Sequence, residues 1–173
     1  MPCKHNQVSY FAYGSNLCRT RLQQRVPSAT FISPGKLVGY RLRFNKIGLD
    51  GSGKGNIQQT GCVEDAVWGG VFQLDSSEMA PLDSAESLGV GYEHQHVSVL
   101  TPQGYITVLT YIAMLTDDHL RPFHWYKAYI VQGALECGLP EVYIQQLQRV
   151  VSIADLDVQR CQQHTLLCGR AQV

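Results

Sequence analysis

Residues 8–13 form the run VSYFAY, which sets the first constraint on the fold. A run that is short, apolar and aromatic predicts a buried strand. It ends at Gly14-Ser15-Asn16, after which apolar side chains recur at helical spacing as far as Pro27, so we expect a helix with Ser15 or Asn16 as its N-cap. A strand that turns on glycine into a helix gathers free backbone N–H groups at one point, where they can bind an anion or a developing oxyanion.

The rest of the chain alternates strand signals with helical stretches. Short apolar segments between turn residues predict further strands at 30–33, 36–44, 60–63, 67–74, 92–100 and 105–114. The first two are divided by the turn pair Pro34-Gly35, and the last two form a hairpin that turns at residues 102–104. Helical patterns cover 76–88 (capped by Ser76 or Ser77), 122–137 and 140–151.

These elements predict one α+β domain over residues 1–173, with a curled, mostly antiparallel sheet and helices inserted and appended. Hydrophobic residues make up 45% of the chain, which is enough to bury a core. We expect that core at residues 8–151, whereas the polar stretch 153–173 matches no element.

Charge and hydropathy exclude several classes of partner. The 14 basic residues balance the 14 acidic ones, so the chain lacks the positive footprint of a nucleic-acid or anionic-membrane binder. No apolar run approaches the ~20 residues that a membrane helix needs, and the polar start MPCKHNQ has no signal-peptide core. Six scattered cysteines without a C-x-x-C pair predict free thiols. We therefore expect a cytoplasmic protein with no nucleic-acid or membrane partner.

Two weak motifs are interpreted as structural. The first seven of residues 48–55 spell G-x-x-x-x-G-K, but Gly55 stands where a phosphate-binding loop needs Ser or Thr, and no helix start follows. With four glycines, the stretch 48–56 predicts a mobile surface loop. His94 and His96 share one face of a predicted strand, yet a metal site would need further ligands from elsewhere, so we expect no metal.

Ser15 is one candidate for chemistry, because it follows a strand in a tight turn. Its setting is Y-G-S-N, however, and not the G-x-S-x-G of a nucleophile elbow. No His–acid pair that could activate it stands out in the sequence. The turn suits anion binding through its N–H groups better than nucleophilic attack, and a plain glycine turn with a helix cap is the simpler alternative.

Glu86 is the other candidate, at the end of the helix predicted over 76–88. Its neighbours Leu88, Val90 and Tyr92 would desolvate its carboxylate and favour proton transfer. A solvated glutamate at a helix end is the alternative, and Asp83 and Glu93 are equally eligible on chemistry alone.

Four blocks of sequence together resemble the γ-glutamylcyclotransferase family. They are YFAYGSNL at 10–17, VWGGVF at 67–72, the spaced LD, E and GY of 82–92, and YK, GA and GLP between 126 and 140. Their order is that of the family over roughly residues 8–151. The resemblance implies a small β-barrel of mixed strands with flanking helices. It also implies an enzyme that turns γ-glutamyl amino acids into 5-oxoproline and the free amino acid with no cofactor or metal.

The resemblance also implies roles for particular residues. Glu86 falls at the catalytic glutamate, the general base and acid. The substrate pocket is formed by the strand and turn after it together with two tyrosines: Tyr10, Phe11, Ala12, Tyr13, Gly14, Ser15, Asn16, Tyr92 and Tyr126.

Two departures put the substrate in question. Ser87 follows the glutamate where the family commonly has glycine, and the spacing from Glu86 to Tyr92 is altered. The partner is a small γ-glutamyl compound whose leaving amine stays open among amino acids, glutathione, lysine and other amines. A non-catalytic γ-glutamyl-binding module and a serine hydrolase acting through Ser15 are the alternatives. The sequence sets no oligomeric state, and a homodimer is compatible with it.

Overall fold

A computed structural model describes residues 6–169, which form seven strands and five α-helices. The strands are β1 (Gln7–Ala12), β2 (Thr30–Val38), β3 (Tyr40–Ile47), β4 (Gly53–Gln59), β5 (Ala66–Asp75), β6 (Tyr92–Thr101) and β7 (Gly104–Ala113). The α-helices are α1 (Arg19–Arg25), α2 (Met79–Ala85), α3 (His124–Glu136), α4 (Glu141–Arg149) and α5 (Val158–Gly169). Two 3₁₀ turns, Ser15–Leu17 and Ser76–Glu78, precede α1 and α2.

Five strands close into a barrel in the order β1-β5-β2-β6-β7. β1 is antiparallel to β5 and parallel to β7, so the barrel has mixed strands, and β3 and β4 form a separate two-stranded sheet. The predicted α+β barrel with flanking helices is confirmed. The hairpin is also confirmed, because β6 and β7 pair from Tyr92–Ala113 to Thr101–Gly104.

The turn predicted at Pro34-Gly35 is wrong, because both residues lie inside one continuous strand, β2. Gly35 is there for close packing: a Cβ built on it would lie 2.5 Å from Cγ1 of Val99 and 3.2 Å from Cγ2 of Val71. The chain turns instead at Gly39, whose φ of +82° favours glycine.

The mobile loop predicted at 48–56 is also wrong in its second half. Residues from Gly53 onward form β4, which pairs antiparallel with β3. A strand begins where a phosphate-binding loop would need a helix, so the structure excludes the nucleotide motif. The strand predicted at 60–63 is absent from the structure, which has a loop and turn there.

The predicted helix caps are wrong as well. Cys18 stands at the N-cap of α1, and Ser15 and Asn16 lie in the 3₁₀ turn before it. Asp75, rather than Ser76 or Ser77, caps the turn before α2 by accepting a hydrogen bond from the Ser77 N–H. The uninterpreted C-terminal stretch forms α5, which packs on α3.

Two sequence predictions concern membrane-spanning helices and free cysteine thiols. Within residues 6–169, no helix is long and apolar enough to cross a membrane. The five cysteines in this part of the chain, which are Cys18, Cys62, Cys137, Cys161 and Cys168, are free thiols. Cys3 lies outside the described residues.

Close packing of α3 against the turn after β1 fixes the position of that turn. Gly133 makes the approach, since a Cβ built on it would lie 2.3 Å from the backbone carbon of Leu17 and 2.4 Å from the nitrogen of Cys18. Backbone atoms cannot move aside as the end of a flexible side chain can. The turn and the helix are therefore one packed unit.

Gly133→Ala should lower the free energy of unfolding by about 3 kcal/mol, because overpacking against backbone outweighs the ~1 kcal/mol that alanine gains in a helix. Urea unfolding of the two proteins measures it. Ala128→Ser, at an exposed position of the same helix, is the control and should change stability by less than about 0.5 kcal/mol. A Gly133→Ala protein as stable as the parent would contradict the packing described here.

Candidate active site

Three polar side chains connect the turn after β1 with the end of α2. Glu86 is the C-cap of α2, and its Oε1 accepts hydrogen bonds from Nδ2 of Asn16 at 2.8 Å and from Nη1 of Arg25 at 2.9 Å. The same Arg25 nitrogen donates to Oδ1 of Asn16 at 2.7 Å. The three side chains form a closed triangle, so the carboxylate is held in one place. Glu86 Oε2 has no hydrogen-bond partner within residues 6–169.

Tyr10 extends this triangle into the barrel, because its hydroxyl accepts from Nδ2 of Asn16 at 3.1 Å. Burial first, and then the charge of Glu86, raise the pKa of the Tyr10 hydroxyl above its usual range. Burial likewise raises the pKa of Tyr92 and of Tyr126. All three hydroxyls therefore stay protonated at neutral pH and can donate hydrogen bonds.

Gly55 of β4 is held between two tyrosines. Its N–H donates to the Tyr126 hydroxyl at 2.8 Å, and its carbonyl accepts from the Tyr92 hydroxyl at 2.7 Å. A Cβ on Gly55 would lie 3.3 Å from that Tyr126 oxygen and 3.4 Å from Cα of Gly14. The sequence does not predict Gly55 as a site residue. The only signal at this position is the density of glycines in the stretch 48–56, which is interpreted as a loop.

These groups surround a cavity of about 280 Å³. Its lining comprises five tyrosines, the turn, Gly55 and Glu86: Tyr10, Tyr13, Gly14, Ser15, Asn16, Gly55, Glu86, Tyr92, Tyr111 and Tyr126. Eight of the ten residues assigned by resemblance lie in this lining. Phe11 and Ala12 do not, because both are fully buried in the hydrophobic core. Tyr111 was not foreseen from the sequence.

The structure distinguishes the three candidate carboxylates. Asp83 Oδ1 accepts a hydrogen bond from the Tyr111 hydroxyl at 2.6 Å and lies 2.7 Å from Nε2 of His94. This carboxylate oxygen therefore already has two hydrogen-bond partners. Glu93 is exposed on β6 and lies outside the cavity. Glu86 alone of the three reaches the cavity.

The apolar surroundings expected for Glu86 are found only in part. Val90 is 71% exposed and Leu88 39% exposed, whereas Tyr92 is buried and lines the cavity together with Glu86. An ion pair with Arg25 and a hydrogen bond from Asn16 hold the carboxylate in place.

The side chain hydrogen-bonded to the Ser15 hydroxyl belongs to an arginine, whereas a nucleophilic serine needs a base at that position. Its Oγ accepts a hydrogen bond from Nε of Arg21 at 3.1 Å. Within the described part of the chain, neither a histidine nor a carboxylate is hydrogen-bonded to this oxygen. An arginine cannot accept the proton of a serine, so the setting does not activate Ser15.

The predicted histidine pair does not act as a unit. His94 bonds to Asp83, and both His94 and His96 are exposed. Among residues 6–169, there is no group of three or more His, Cys, Asp and Glu side chains placed to hold a metal ion.

A second cavity, of about 720 Å³, adjoins the first and shares Ser15, Glu86, Tyr92 and Tyr126 with it. We call these the inner and the outer cavity. The outer one reaches α5, where the ring of His164 stacks on Trp125 at 3.7 Å between centroids. Burial, with Arg21 and then Lys54, lowers the pKa of His164 to about 4, so its imidazole is neutral at pH 7.

Known proteins resemble this chain in sequence and in structure. The AIG2-like family matches residues 66–147. A human γ-glutamylcyclotransferase is 35% identical over 152 residues, and a bovine one 33% over 151; each match covers 82% of this chain and 77% of the relative. A solved γ-glutamyl cyclotransferase structure superimposes with a TM-score of 0.83 at 28% identity, over 93% of this chain and 99% of that one.

Ser87, next to the carboxylate, has a φ of +53°, in the left-handed region that favours glycine. Ser87→Gly should therefore raise the free energy of unfolding by up to about 1 kcal/mol. Ser84→Gly, at an exposed position inside α2, is the matched control and should lower it by about 0.5 kcal/mol. Thermal melts of both proteins measure the two shifts, and a destabilised Ser87→Gly protein would mean that serine is not strained at this position.

Proposed function

The chain belongs to the γ-glutamylcyclotransferase family, and we propose that the inner cavity converts a γ-glutamyl amino acid or amine into 5-oxoproline and the free amine. The chain is an enzyme of this type, since its relatives are γ-glutamylcyclotransferases and its barrel matches theirs across nearly its whole length.

The reaction is an intramolecular acyl transfer. The α-amine of the γ-glutamyl group attacks its own γ-carbonyl carbon, the new C–N bond closes a five-membered lactam, and the bond to the departing amine breaks. The attacking amine loses one proton and the departing amine gains one, so no water is consumed. Because both reacting groups belong to one molecule, the enzyme has mainly to fold the substrate into a near-attack shape.

The free oxygen of Glu86 is the observation that carries this proposal. Oε1 is held by Asn16 and Arg25, while Oε2 has no partner among the described residues and belongs to a side chain that lines the cavity. A fixed carboxylate with one free oxygen can accept the α-amine proton and return it to the departing amine. Glu86 is therefore the general base and then the general acid.

Neutral donors around the same cavity suit the negative charge of the substrate. The first N–H groups of a helix have no partner inside it, and residues 14–16 place such groups in the cavity lining. The protonated Tyr10 and Tyr126 hydroxyls line it as well. We assign these donors to the tetrahedral oxyanion or the α-carboxylate of the γ-glutamyl group.

The same proposal extends to where the enzyme works. Glutathione carries a γ-glutamyl bond, so we place the reaction in glutathione metabolism. We place the protein in the cytoplasm, where the free thiols found among residues 6–169 persist.

Two alternatives fit the site less well. A binding module that only senses γ-glutamyl ligands has no use for a fixed carboxylate with a free oxygen. A serine hydrolase needs a base beside Ser15, and Arg21 occupies that place.

Glu86→Gln should lower kcat at least about 10³-fold, because the amide keeps the hydrogen bonds to its neighbours but cannot accept the proton. Mass spectrometry of 5-oxoproline released from γ-glutamyl-alanine measures the loss. Glu93→Gln removes the same charge from an exposed neighbour and should keep full activity. A Glu86→Gln enzyme that is folded and retains near-parental turnover would remove Glu86 from the mechanism.

Ser15→Ala should keep activity within about tenfold, because Ser15 takes part in this mechanism only through its backbone. Running the reaction in H₂¹⁸O separates the two chemistries. A cyclotransferase releases 5-oxoproline without ¹⁸O, whereas a hydrolase releases glutamate that carries it. Labelled glutamate that disappears in the Ser15→Ala protein would establish the hydrolase.

A further inference from the structure

The outer cavity carries an excess of positive charge in a chain that is neutral overall. Five cations line it against two carboxylates: Arg21, Arg25, Lys46, Lys54 and Arg160 against Asp50 and Glu86. Some of these cations are neutralised locally. Lys54 Nζ lies 2.7 Å from Asp50, Arg25 pairs with Glu86, and Arg160 pairs with Asp155 at 2.6 Å.

Lys46 has no carboxylate in direct contact. The residue is 8% exposed, and within residues 6–169 no carboxylate lies within 4.0 Å of its ammonium group, although the charges of Glu86 and Asp50 act on it from farther away. The ammonium lies 5.1 Å from the centroid of the Tyr92 ring and against Gly91, where an added Cβ would be 3.0 Å from Nζ. A buried charge without a partner is costly, so this geometry is what a site for an anionic ligand requires.

Arg21 is the second unpaired cation. Its Nε donates to Ser15, and its guanidinium carbon lies 4.5 Å from the centroid of the Tyr129 ring. No carboxylate in the described part of the chain pairs with it. Burial, and then the charge of the nearby Arg25, lower the pKa of Arg21, as expected of a buried cation that has no anion paired with it.

The route of the substrate connects these cations with the reaction. The inner cavity shares Glu86, Tyr92 and Tyr126 with the outer one. If the γ-glutamyl group fills the inner cavity, the departing amine extends into the outer cavity, toward Lys46 and Arg21. Two unpaired cations can neutralise two carboxylates.

We infer that Lys46 and Arg21 are specificity-determining residues that bind the carboxylates of an acidic leaving group, so that the preferred substrates are γ-glutamyl compounds of dicarboxylic amino acids, such as γ-glutamyl-glutamate. This inference rests on the proposed function, because it places the γ-glutamyl group beside Glu86. The inner cavity selects the γ-glutamyl group, and the outer cavity selects the charge of the amine that departs.

The test uses three substrates whose leaving amines carry none, one or two carboxylates: γ-glutamyl-ethylamine, γ-glutamyl-alanine and γ-glutamyl-glutamate. For the parent enzyme, kcat/KM for 5-oxoproline release should rise about tenfold with each carboxylate. Raising the NaCl concentration should reduce the rate most for the dianionic leaving group and least for the uncharged one. A γ-glutamyl-glutamate rate no higher than that of γ-glutamyl-alanine would overturn the inference.

Lys46→Met keeps the length of the side chain and removes the charge. The substitution should lower kcat/KM about tenfold for γ-glutamyl-glutamate and least for γ-glutamyl-ethylamine. The three substrates would then differ less in kcat/KM than they do for the parent enzyme. Lys36→Met, at a lysine placed over Trp68 and outside both cavities, is the matched control and should keep the parental series. An equal loss on all three substrates would show that Lys46 does not read the leaving group.

Calorimetric titration of the Glu86→Gln protein separates this inference from the proposed function. It should bind γ-glutamyl-glutamate more tightly than γ-glutamyl-ethylamine whether or not turnover occurs. If the parent releases no 5-oxoproline from any of the three compounds, the proposed function fails, and equal affinities in the titration would then overturn the subsite as well. If 5-oxoproline appears at equal rates from all three, only the assignment of Lys46 and Arg21 fails.

Discussion

The hydrogen-bonded triangle of Asn16, Arg25 and Glu86 is the interaction on which the site depends. It joins the turn after β1 and the adjoining helix α1 to the end of α2, which lies 61 residues beyond Arg25 in the sequence. Because Oε1 of Glu86 receives both hydrogen bonds, the position of the carboxylate is fixed while Oε2 stays free. Gly133 has no side chain, so α3 packs directly on the backbone of the turn and holds in place the segment that carries Asn16. Packing therefore sets the geometry that the chemistry uses.

The site divides its work between neutral and charged groups. The inner cavity is lined by tyrosines whose pKa values are raised by burial, so their hydroxyls remain protonated donors beside a single carboxylate. The outer cavity has charges of both signs with cations in excess. Charge concentrated outside the reaction centre can attract an anionic substrate without competing with Glu86 for its proton. In the proposed mechanism, this separation would let a chain without net charge recognise charged ligands.

The sequence predicted those elements whose signal is local. β1, the β6–β7 hairpin and helix α3 have continuous apolar patterns, and each was found close to its expected bounds. Predictions failed where a glycine serves packing at long range rather than a turn. The missing side chain of Gly35 leaves room for Val99, and that of Gly55 lets two tyrosine hydroxyls reach the backbone. The local sequence around each glycine predicts a turn or a loop instead. Glu86 could be placed by resemblance, but its partner Arg25 and the unpaired Lys46 depend on tertiary contacts that no local pattern reports.

A crystal structure of the Glu86→Gln protein with γ-glutamyl-alanine bound would show whether residue 86 faces the reacting amine. We expect the γ-glutamyl group in the inner cavity, with its α-amine nitrogen about 3 Å from the residue-86 side chain and the alanine in the outer cavity. Such an arrangement puts the amine in reach of both the base and its own γ-carbonyl. A substrate bound with its α-amine turned away from residue 86, or with its γ-carbonyl against Oγ of Ser15, would contradict the account.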